Sequence, residues 1–159
     1  MKKPKIFIAC DTTSLTKVKK IIKQSQTSKI KIGYKFGLEF MNSKNGRQFI
    51  SKLKNKIIFV DLKLNDTVNT MLSAVKALGD LKINYLTVHI SSGLAALKAV
   101  KKVSKSTKII GVTTLTSLNN KNLVELGYNP IDINGNYCLS DGLIRKLNLL
   151  GWPLVFLSM

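Results

Sequence analysis

The stretch "KIIFVDLKLNDTVNT", residues 56–70, changes character half-way along. Its first half is an apolar run rich in residues that favour strands, and it reads as a buried strand. Its second half is polar and rich in capping residues, and it leads into Val68, Leu72, Val75 and Leu78, spaced as one face of a helix. A buried strand running directly into an amphipathic helix is the first part of a strand–helix–strand crossover.

The same alternation recurs on both sides. Strands are predicted over residues 5–11 (KIFIACD), 29–33 (KIKIG), 56–63 (KIIFVDLK), 85–90 (YLTVHI), 108–115 (KIIGVTTL) and 153–158 (PLVFLS). Leu15, Val18, Ile21 and Ile22 give the segment after the first strand a helical stripe. Parallel strands need a crossover long enough to return, and spacings of roughly 25 residues provide it, so the class is α/β. A doubly wound sheet and a barrel share this pattern, and periodicity does not choose between them. Residues 127–137 (GYNPIDINGNY) carry Asn-Pro and Asn-Gly turn signals and read as a loop. No linker or low-complexity tract divides the chain, so a single domain is expected over residues 1–159.

Polar residues gather at the far ends of these strands: Asp11, Lys31, Asp61 with Lys63, His89, and Thr116 with Ser117. In a barrel that end is where chemistry is built. Asp61 and Lys63, two apart, share a face if the strand persists through them. Asn65 or Asp66 is placed to cap the following helix. A salt bridge plus a cap would account for this trio structurally. Convergence with Asp11 and Lys31 on one mouth favours a site, because burying several charges is costly unless they pair closely. His89 reads as core or support for the site, and Gly93 as relief of crowding at a loop.

Composition narrows the partners. Lys and Arg number 26 against 8 Asp and Glu, a formal charge of +18, with arginine only at Arg47 and Arg145. Such a field attracts polyanions at low salt. The lysines are spread through nearly every segment without an interleaved aromatic platform, so no specific nucleic-acid partner is expected, whereas an anionic small substrate fits. No apolar run approaches the ~18 residues of a membrane helix and the first residues lack a secretory pattern, which leads to expectations of no membrane partner and a cytoplasmic location. Cys10 and Cys138 show no metal-ligand spacing and read as reduced structural thiols, with a disulfide or metal role as the less favoured alternatives.

In order and spacing, IFIACD, IKIGYKF, FVDLKLNDTVNT, LTVHISSG and GVTTLTSL resemble the orotidine 5'-phosphate decarboxylase family from residue 5 onward. The Asp-x-Lys-x-x-Asp-x-x-Asn-Thr block, Asp61 to Thr70, is the most specific part. The resemblance implies a (β/α)8 barrel of the ribulose-phosphate-binding type and a homodimer. It further implies decarboxylation of orotidine 5'-monophosphate to UMP with neither metal nor organic cofactor. Lys63 would protonate carbon 6 of the pyrimidine, beside Asp61. Lys31 would hold that network, and Asp66 and Thr70 would reach the partner's site. Asp11 would contact a ribose hydroxyl, and Thr116 and Ser117 the base. Leu62, Leu64, Asn65, Thr67, Val68 and Asn69 complete the substrate-binding block.

Thr67-Val68 replaces the family's usual Ile-Pro, and Thr67 suits a first helical turn. The segment near residue 153 is similar to the family's sixth strand, so about six βα units are expected, with no counterpart of the seventh and eighth. Two competing readings are an inactive nucleotide- or polyanion-binding remnant and a magnesium-dependent sugar-phosphate decarboxylase or synthase of the same structural group. The latter group carries glutamate where Lys31 stands.

Overall fold

A computed structural model describes residues 6–115 and 117–127 of the chain. The predicted sixth strand, Cys138, Thr116 and most of the 127–137 loop lie outside them. Five parallel strands, β1 (Ile6–Ala9), β2 (Ile32–Gly37), β3 (Ile57–Leu64), β4 (Tyr85–His89) and β5 (Lys108–Val112), form one sheet in the order β1-β2-β3-β4-β5. Between them run α1 (Leu15–Gln24), α2 (Leu38–Met41), α3 (Gly46–Lys52), α4 (Val68–Ala77) and α5 (Gly93–Val103), and α6 (Asn120–Glu125) follows β5.

Strand order resolves the ambiguity left by periodicity. A doubly wound sheet reverses its order at a switch point and carries helices on both faces. Here consecutive strands are neighbours throughout, as in the wall of a βα barrel. Side-chain alternation shows one layer of helices. Tyr34 and Phe36 of β2, Ile58 and Val60 of β3, Leu86 and Val88 of β4 and Ile109 of β5 share a face by register. All of them belong to one core with Val18 and Ile22 of α1, Ile50 of α3, Met71 and Val75 of α4, and Leu97 and Val100 of α5. Along α4 and its C-cap the buried stripe is Met71, Val75 and Leu78, with Leu72 only half-buried.

The opposite, inner face divides in two along the strands. Toward the strand starts it is aromatic: Phe7 meets Phe59 and Tyr85 edge-on, with ring centroids 5.1 and 5.2 Å away. Toward the strand ends it is polar, carrying Lys35, Asp61, Lys63, Thr87 and His89. The apolar half supports the sheet from inside, and the polar half is left for chemistry.

Helix starts follow local sequence. Ser14 caps α1, its side chain accepting from the Lys17 amide at 3.3 Å. For α4 the cap is Thr67, one residue beyond the predicted Asp66 and two beyond the predicted Asn65, in extended backbone and without a side-chain cap bond.

Candidate active site

Asp61 is the first residue of β3 after its regular pairing with β4 breaks off at Val60. Val60 lies opposite Leu86 and the next pair is Leu64 with Val88, so three residues of β3 bulge against one of β4. Lys63, within that bulge, has φ 47°, in the left-handed region. For a non-glycine residue this conformation costs roughly 1–2 kcal/mol. Asn55, Lys82 and Lys105 share it but lie in loops; Lys63 alone among these four lies in a strand. The bulge turns the Lys63 ammonium back onto Asp61, with Nζ 3.1 Å from both carboxylate oxygens. Asp61 is buried while the Lys63 side chain is 35% exposed, so an anion's partner is presented to the site from one side.

A second cation completes the row. Lys35 Nζ lies 3.5 Å from Asp61 Oδ2 and 3.5 Å from Asp11 Oδ2. Asp11, Lys35, Asp61 and Lys63 therefore alternate in sign across the ends of β1, β2 and β3, so each buried charge has an opposite neighbour. Thr87 of β4 adds a hydroxyl to Asp61 at 2.8 Å and receives the Lys63 amide at 2.8 Å.

Lys31 does not take the expected place. β2 begins at Ile32, so Lys31 precedes the strand, is exposed, and lies at the end of the sheet away from Asp61. It helps line a cavity of about 1040 Å³ at the strand starts, together with Lys54, Lys56, Lys82 and Asn84. In a barrel that end serves stability, and the charged row lies at the other. The lysine of the network is Lys35. The strand predicted over residues 29–33 stops short of it, although Gly33, Lys35 and Gly37 alternate with Ile32, Tyr34 and Phe36.

The rest of the predicted block divides. Leu62 and Leu64 are half-buried against the helix-side core, so their side chains support the bulge from behind. Asn65, Asp66, Thr67, Val68, Asn69 and Thr70 are all exposed. Asp66 Oδ1 accepts from the Thr67 amide at 2.6 Å, and the Thr67 and Thr70 hydroxyls lie 3.1 Å apart. Ser117 is exposed in a turn beyond β5.

Two other titratable groups lie near the row. Burial, aided by the Asp11 carboxylate, pushes the Cys10 thiol up to about 11, so it stays protonated and inert. Burial and then the Lys63 ammonium hold the His89 imidazole below its ordinary value. Its Nδ1 lies 2.6 Å from the Ser91 hydroxyl and accepts from the Ser91 amide.

Among the described residues no three His, Cys, Asp or Glu side chains gather as a metal site, and no helix is long and apolar enough to cross a membrane.

The fold and the row together define a βα-barrel type of protein whose charged centre lies at the C-terminal ends of its strands. Residues 4–133 match the profile of the orotidine 5'-phosphate decarboxylase / HUMPS family, and the chain belongs to that family. Orotidine 5'-phosphate decarboxylase of Wolbachia sp. subsp. Brugia malayi is 37% identical over 151 residues, covering 92% of this chain and 65% of that protein. The enzyme of the same name from Wolbachia pipientis subsp. Culex pipiens is 39% identical over the same shares. The chain thus spans just under two thirds of the curated relatives' length. The crystal structure of orotidine 5'-phosphate decarboxylase from Lactobacillus acidophilus superposes with a TM-score of 0.69 at 28% identity, over 83% of this chain and 62% of that one. An uncharacterized conserved protein from Geobacillus kaustophilus, 21% identical with a TM-score of 0.70, shares the fold over 91% of this chain and 68% of its own.

Proposed function

We propose that this protein decarboxylates orotidine 5'-monophosphate to UMP, with Lys63 as the proton donor, as a cytoplasmic homodimer. The observation that carries the reading is the Lys63 ammonium, 3.1 Å from both oxygens of the buried Asp61 and backed by Lys35 on the other side of that carboxylate. When the bond from carbon 6 to the carboxylate breaks, its electron pair stays on the ring carbon and carbon dioxide leaves. A cation already fixed there stabilises the developing negative charge without reorganisation, which is where such sites gain most. Lys63 then gives its Nζ proton to carbon 6 and is reprotonated by water. The reading assigns each step to the chain's own groups, without a metal or organic cofactor.

Asp11, at the open end of the row, is the carboxylate available to a ribose hydroxyl. Asp66 and Thr70 would serve the partner's site. Their support is that residues 65–70 are exposed along their whole length and include Val68, an apolar residue 37% exposed at the start of α4. Thr116 and Ser117 are assigned to the base.

The test is loss of pyrimidine absorbance when purified chain meets orotidine 5'-monophosphate. Turnover by the wild type, reduced about 100-fold or more in Lys63→Ala, is the expected result. Turnover that survives Lys63→Ala, or a wild-type chain inert at every substrate concentration, would sink it.

A further inference from the structure

Thr87 is fully buried at the middle of β4, at the one place where β3 leaves its register. From Val60 to Leu64 β3 advances four residues while β4 advances two, from Leu86 to Val88, so Thr87 faces the whole bulge. A bulged backbone amide loses its ladder carbonyl, and a buried N–H left without an acceptor is costly. The Lys63 amide instead donates to Thr87 Oγ1 at 2.8 Å. The hydroxyl proton goes to Asp61 Oδ1, also at 2.8 Å. Both directions are forced, because an amide N–H only donates and a carboxylate only accepts. One hydroxyl therefore ties the left-handed backbone of Lys63 to the carboxylate that grips the ammonium of the same residue.

We propose that Thr87 is a positioning residue which clamps the β3 bulge and so sets the spacing between the Lys63 ammonium and Asp61. Its catalytic consequence rests on the decarboxylase reading; the clamp itself does not. Valine has nearly the shape of threonine but makes neither bond, and serine makes both. A buried threonine that only satisfies its own hydrogen bonds would matter for stability alone, so the test must read geometry at Lys63 and not simply unfolding.

The experiment uses the full chain, labelled with nitrogen-15, as wild type, Thr87→Val and Thr87→Ser. Thr87→Val is expected to speed amide hydrogen exchange at Lys63 about 10-fold or more while the amide of Ile58, bonded at 2.8 Å to Asn84 Oδ1, keeps its rate. In the same variant kcat falls roughly 10- to 100-fold with KM changed less than about threefold, as a small misplacement of a reacting group would produce. Thr87→Ser restores both. A Lys63 amide still protected in Thr87→Val, exchange accelerated equally throughout β3, or an unchanged kcat overturns the proposal. If the wild type itself does not turn over substrate, the decarboxylase reading falls and the exchange comparison alone decides the clamp.

Discussion

His89 is the chain's single histidine, so its ring can be followed by NMR through a pH titration without ambiguity. Its midpoint is expected below the ordinary 6.5, first because burial disfavours the imidazolium and second because the Lys63 ammonium repels it. Lys63→Ala removes the second cause only, so the midpoint should rise part of the way back and stop short. An unmoved midpoint in Lys63→Ala would mean that no charge resides where the structure places it. The sign for stability follows from the same depression: the unfolded chain binds the proton more readily, so the contribution is present above about 6.5 and is lost as pH falls through the folded value. Acid unfolding should therefore be shallower in His89→Gln. At this scale the sequence was only partly legible. The Asp61–Lys63 pair could be read from a spacing of two. Thr87 could not, because its bonds to Asp61 and Lys63 span 26 and 24 residues and come into being only when β4 pairs with β3.

Among the elements, β2 carries the most instructive discrepancy. Its inner face reads Gly33, Lys35, Gly37, and the absence of a side chain at Gly33 has a specific cause: a Cβ there would run into the Phe7 ring and approach Ile57 Cγ2 to 3.3 Å. Phe7 cannot easily yield, since Phe59 and Tyr85 hold it edge-on. Gly33→Ala sets two effects against each other. Restricting the unfolded chain gains about 0.4–1 kcal/mol, whereas overpacking costs typically 1–3 kcal/mol, so net destabilisation of about 1–2 kcal/mol is expected. A lower urea midpoint at unchanged m is the measurement, and trimming the ring in Gly33→Ala with Phe7→Leu should recover part of the loss. A single variant as stable as wild type would remove the contact from the account. The alternation of strands and helices was legible because burial imposes periods near 2 and 3.6 on the sequence. The extent of β2 was not. The strand predicted from the sequence stops at Gly33, short of Lys35, since local pattern does not show the close approach of Phe7 that calls for glycine there, and the family resemblance assigns the network's lysine to Lys31.

For the whole molecule, neither neighbour order in the sheet nor the completeness of the site follows from local pattern. Sequential order is a property of how crossovers stack, and it places Asp11, Lys35, Asp61 and Lys63 on one end of the sheet. Within one chain Asp66 points its carboxylate at its own neighbour Thr67, and Lys63 has Asp61 as its carboxylate partner. If Asp66 acts in the partner's site, as proposed, each centre of a dimer draws Lys63 from one copy and Asp66 from the other. Mixing then gives an outcome that neither variant shows alone. Lys63→Ala and Asp66→Ala homodimers each have two defective centres. In a heterodimer of the two, one centre carries both defects and the other has an intact Lys63 facing an intact Asp66. Random reassortment of equal amounts makes half the dimers mixed, so about one quarter of wild-type turnover should return, with the KM of the wild type. The measurement is decarboxylation after co-refolding the two inactive variants, compared with each refolded alone. Centres built wholly within one chain would recover nothing, because every centre would then hold one of the two defects.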